Sequence, residues 1–120
     1  MRNLALTCAL AAALSAVTTR AATAASSYDG AWSLDFVTQR GTCDPNYNFG
    51  VNISNGNVSH PNLLKFKGRV TANGLVHASV TVGDKYASGS GTLSKVSGRG
   101  TWNGHTGSAR CSGYWTAQRT

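Results

Sequence analysis

The 120-residue chain has no glutamate, and its only carboxylate side chains are Asp29, Asp35, Asp44 and Asp84. It has two prolines and three cysteines. So few carboxylates leave little material for paired acid–base catalysis. Asp29, Asp44 and Asp84 also stand beside Gly or Pro, where turn hydrogen bonding accounts for them. No G-x-S-x-G nucleophile elbow occurs. The three histidines find no partners at metal-ligand spacing: His77 alternates onto the polar face of a strand, and His60 and His105 read as loop residues. Sustained helical periodicity is missing throughout. These absences argue against an enzyme, a metal centre or a cofactor-dependent protein, so no catalytic residue, metal or cofactor is expected.

A long apolar run occurs once. After the basic start Met1-Arg2-Asn3, Leu4 through Val17 is an unbroken stretch of apolar and small residues, followed by the A-x-A sequence Ala22-Thr23-Ala24. That is the pattern of a cleaved signal peptide, and the run is too short for a membrane span. Residues 1–24 therefore read as a leader and 25–120 as one small domain, periplasmic or secreted, with no transmembrane segment in the mature chain. Cys8 falls in the leader. The two remaining cysteines, Cys43 and Cys111, are expected to form one disulfide in an oxidising compartment.

What the chain does have is period-two alternation broken by Gly and Asn-Gly pairs. Eight short strands are expected: Ala31 to Thr38, Tyr47 to Ser54, one around Val58, Leu64 to Ala72, Leu75 to Val82, Tyr86 to Leu93, Val96 to Trp102 and Ala109 to Gln118. Asn55-Gly56 and Asn73-Gly74 are hairpin turns, because that dipeptide tolerates positive φ at both turn positions. The predicted fold is all-β, an antiparallel meander of about eight strands. It is closed or nearly closed into a barrel with Trp32, Phe36, Phe66, Val80, Trp102 and Trp115 inward. In such a meander the first and last strands meet, and a Cys43–Cys111 bridge would fasten that seam.

Each tryptophan follows a glycine by two residues, in Gly30-Ala31-Trp32, Gly100-Thr101-Trp102 and Gly113-Tyr114-Trp115. Positions i and i+2 share a strand face, so each glycine is expected to leave room beside the indole of its own strand.

Setting aside Arg2 and Arg20 leaves nine Lys and Arg against four Asp, a net charge of +5 that favours anionic partners. Lys65, Lys67 and Arg69 fall at every second position and form the sharpest cationic feature. They are a candidate anion-binding face for acidic glycans or other anionic polymers at the cell envelope. No aromatic residues interleave with them on that face, which disfavours nucleic acid as the partner. Asn52-Ile53-Ser54 and Asn57-Val58-Ser59 match the N-glycosylation acceptor.

The stretch Tyr28-Asp29-Gly30-Ala31-Trp32 resembles the Y-x-G-x-W opening strand of calycins, the superfamily of lipocalins, avidins and small bacterial metalloprotease inhibitors. The chain is also similar to small exported alphaproteobacterial proteins rich in S-G-x-G-T-W strands. The calycin resemblance implies that Trp32 closes one barrel end and that Arg119, from the last strand, packs over it. The functional expectation is an exported, non-catalytic binding module of unknown ligand. One alternative is a periplasmic protease inhibitor of the small calycin type; the other is a binder of anionic polysaccharide.

Overall fold

The computed structural model describes residues 27–63 and 65–120. The expected leader, Met1 to Ala24, and Cys8 lie outside the described residues. Eight antiparallel strands follow one another around a closed barrel: β1 (Gly30–Arg40), β2 (Asn46–Ser54), β3 (Asn57–Ser59), β4 (Phe66–Val70), β5 (Leu75–Val82), β6 (Lys85–Leu93), β7 (Ser97–Thr106) and β8 (Ala109–Arg119). Each strand pairs with its successor, and β8 returns to β1 in a register running from Trp32↔Arg119 to Thr38↔Gly113. Closure removes the unpaired edge that an open sheet would present. No helix among the described residues is long and apolar enough to cross a membrane.

The alternation seen in the sequence decides which face turns inward. Trp32, Leu34, Val51, Ile53, Val58, Phe66, Val70 and Val76 are buried, and the residues between them face solvent. The six residues expected to point inward all lie on that inner face. Phe36, Phe49 and Phe66 form an aromatic strip across β1, β2 and β4: Phe36 stacks on Phe49 with ring centroids 5.3 Å apart, and Phe66 meets Phe49 edge-on at 6.3 Å.

The two ends of the barrel are built differently. One carries Gly30, the turn joining β2 to β3, the turns after β4 and β6, and Arg119. Here Asn55 and Gly56 adopt φ of 52° and 79°, as a two-residue hairpin with positive φ at both positions requires. The other end carries the β1–β2 loop, the β3–β4 loop and the turns after β5 and β7. There Cys43 is bridged to Cys111 with a Cα–Cα separation of 6.0 Å, tying the β1–β2 loop to the start of β8. The expected disulfide is therefore present at the β1–β8 seam.

Three details differ from the sequence reading. β4 begins at Phe66, after Phe66 N–H bonds the Leu63 carbonyl in a turn, so Lys65 precedes the strand instead of standing on it. β7 continues past Trp102 to Thr106, which makes His105 a strand residue and not a loop one. The tryptophan–glycine pairing runs across strands and not along them: Trp102 lies opposite Gly89 and Gly113, and Trp115 opposite Gly100. A Cβ added at Gly91 or Gly100 would stand 2.6 Å from the Trp115 ring. The inner glycines of β6 and β7 thus make the floor on which the β8 indole lies.

Candidate ligand cavity

The inner face does not close up completely. A cavity of about 300 Å³ runs down the barrel axis, and every strand contributes to its wall. The gap has an identifiable origin. Ala78, Gly89, Ala87 and Val80 sit at mutually paired inner positions of β5 and β6, across the barrel from the bulky Phe36 and Phe49 of β1 and β2. Small residues on one wall do not reach the large residues of the other.

The closed end is sealed in layers. Trp32 is 1% exposed, and its indole Nε1 donates to the Tyr28 carbonyl at 2.8 Å. The Arg119 guanidinium lies over the Trp32 ring, 5.3 Å from its centroid, a cation–π arrangement. The same guanidinium donates to the carbonyls of Ser27 (3.1 Å), Lys95 (2.8 Å) and Asp29. Asp29 Oδ2 accepts the Asn55 N–H at 3.1 Å, which fastens the segment before β1 to the β2–β3 turn. Trp32 and Arg119 are thus stacked together at this end of the barrel.

The other end is a mouth. Tyr47 and Val82 line the cavity while remaining 37% and 48% exposed. Lys85 and Thr106, paired across β6 and β7, stand at the same rim, and Tyr86 packs beside His105 with centroids 5.7 Å apart. Leu63, from the β3–β4 loop, and Cys43, from the β1–β2 loop, fold partly over the opening and pack on the core. His60 is not a freely solvated loop residue. It is half-buried, its ring meets Phe49 at 5.8 Å, and its Nδ1 accepts the Asn62 N–H at 3.0 Å.

Chemically, the interior offers dispersion contact and little else. No aspartate lines it, and its one charged lining residue, Lys85, is at the rim. The volume would hold about ten waters at ~30 Å³ each, but waters need two to four polar partners that this wall does not supply. Removing such apolar surface from water is favourable. Among the described residues there is no group of three or more His, Cys, Asp or Glu placed to hold a metal ion.

The other predicted residues lie outside the barrel. Lys67 and Arg69 project outward from β4, with Arg69 Nη1 donating to Asn57 Oδ1 at 3.0 Å, while Lys65 stands apart in the turn. Asn52 and Asn57, the acceptor positions of the two glycosylation motifs, are exposed. Sequence reasoning missed the cavity itself. The signal for it was the cluster of Gly and Ala at inner positions of β5 and β6.

No family model, curated protein or solved structure matches the chain, and no relationship ties it to the calycins or to alphaproteobacterial proteins.

Proposed function

We propose that the protein is an exported, non-catalytic binding module that takes a small apolar molecule into its barrel. The observation that carries this reading is the 300 Å³ apolar cavity, sealed at the Trp32 end and open at the Tyr47–Val82 end. A volume of that size lies at the lower end of small-molecule pockets, and its lining suits a ligand that is apolar along most of its length. The disulfide, together with the signal-type N-terminal sequence, supports action outside the cytoplasm.

Titration with N-phenyl-1-naphthylamine tests the proposal. Saturable one-to-one binding, with energy transfer from Trp102 and Trp115 in the wall, is the expected result. Replacing Ala78 with Phe fills the cavity from within, and is expected to abolish binding while near-ultraviolet circular dichroism stays native. A folded wild-type protein that leaves the probe unbound, or an Ala78→Phe protein that binds it undiminished, overturns the reading.

A further inference from the structure

The barrel's outer surface is not uniform. On β4 through β8 the outward positions align in rows across the strands. One row runs Lys67, Ser79, Ser88, Asn103, Ser112, and the next runs Arg69, His77, Ser90, Thr101, Tyr114. Each row opens on a cation and continues over residues that carry a hydroxyl, amide or imidazole group. Three of the four middle positions on β5 and β6 are serines, shorter than the Lys and Arg beside them, so the surface dips there into a polar trough of about 430 Å³. Lys67 and Arg69 stand on one wall of the trough, and Thr101 and Asn103 on the other.

Charge is segregated in the same way. Arg99 on β7 and Arg110 on β8 add two cations to this side of the barrel. None of the four aspartates stands in either row. Asp29 precedes β1, Asp35 is on β1, Asp44 is in the β1–β2 loop, and Asp84 is in the β5–β6 turn. With no carboxylate among them, the cations of the β4–β8 face add their fields towards solvent.

We infer that this trough is a second binding surface, separate from the cavity, and that its occupant is a linear anionic polysaccharide. Two observations select that class. The cations complement a regularly spaced line of carboxylates, and the serine, threonine and asparagine side chains supply hydrogen-bond donors and acceptors matched to sugar hydroxyls. Nucleic acid fits less well, because the trough is lined by no Phe, Tyr or Trp on which bases could stack. Four strand spacings of about 4.8 Å give the face a width of about 19 Å, enough for several sugar residues laid across the strands. Polymer bound there leaves the Tyr47–Val82 mouth uncovered, so the two surfaces act independently.

The test uses alginate, a polyuronate, with neutral dextran and an oligothymidylate as comparison probes, each titrated against the purified protein. Alginate is expected to bind at low salt and to weaken steeply as salt rises, while dextran does not bind. The double variant Lys67→Ser/Arg69→Ser is expected to bind alginate about tenfold more weakly, with a log K against log salt slope smaller by about 1 to 2. Both side chains are exposed, so an unchanged unfolding midpoint is expected to show that the variant is folded; Lys67→Glu alone supplies a second variant with the same change in net charge. The inference is overturned if alginate fails to bind the wild type, if it binds the folded double variant as well as the wild type, or if oligothymidylate binds the same residues as tightly as alginate.

Discussion

The two ends of this barrel use similar side chains for opposite purposes. At the closed end an aromatic ring is buried under bonded polar groups: the Trp32 indole bonds Tyr28, and the Arg119 guanidinium bonds three carbonyls while covering the ring, with Asp29 Oδ1 left buried and unpartnered beside them. At the mouth, Tyr47, Val82 and Tyr86 are left partly in water, and the structure is held by a covalent bridge in place of a packed plug. Apolar burial can therefore be withheld at one end of a small barrel, provided that the loops around the opening are fastened by other means. The closed end buries the Trp32 ring, and the open end leaves apolar surface within reach of solvent.

The sharpest way to break that comparison is to empty the closed end. Trp32→Ala removes a fully buried indole, and is expected to cost about 3–5 kcal/mol in urea unfolding. For a domain of marginal stability this is close to complete loss of the fold. A cost below about 1 kcal/mol would mean that the Trp32 plug is not what holds that end together.

Reduction of Cys43–Cys111 is the matching test at the mouth. The bridge closes a loop with a sequence separation of 68, so chain entropy alone places its contribution at about 4 kcal/mol, an upper figure because denatured chains retain structure. Reduced protein is expected to unfold at a midpoint lower by up to about 16–32 °C, since each kcal/mol is worth about 4–8 °C in a domain of this size. An unchanged midpoint after verified reduction would transfer the anchoring of the mouth to Leu63 and its neighbours.

The smallest expected effect sharpens the comparison most. Val82→Ser and Tyr47→Ser alter exposed rim positions, and are expected to shift stability by about 0.5 kcal/mol or less. Each is nevertheless expected to weaken N-phenyl-1-naphthylamine binding several-fold, because the rim lines the entry to the cavity. Substitutions that cost stability but spare binding would assign the rim to the fold and not to the ligand.

Much of this architecture was legible in the residues. Strand alternation has a period of two, so Trp32, Leu34 and Phe36 had to share a face, and with Cys8 in the expected leader only one pairing was left for the other two cysteines. The misreadings have physical causes. Lys65, Lys67 and Arg69 alternate whether or not a ladder reaches them, and β3, three residues long, gives the start of β4 no partner on that side. Asn103-Gly104 looks like a turn, yet Gly104 sits inside a strand because a Cβ there would meet the Tyr86 carbonyl and Ala87. The cavity was hidden for a different reason. Ala78, Ala87 and Gly89 announce missing volume, but whether a distant Phe fills it depends on barrel radius and register, which no local pattern encodes.

The seam between β1 and β8 has a kinetic consequence. Arg119 bonds Ser27 and Asp29 at sequence separations of 92 and 90, and Thr120 N–H reaches Ala31 across nearly the same span. No other pairing in the meander joins segments so far apart, so nothing local templates it. Folding rates fall as such distant contacts come to dominate, because loop closure must precede the gain it makes possible. The hairpins, β1–β2 included, are thus poised to assemble early, with the β1–β8 seam closing last. Until it does, the barrel is an open curved sheet with two bare edges, and the span between Cys43 and Cys111 is the stretch of chain whose covalent shortening brings those edges within reach of one another.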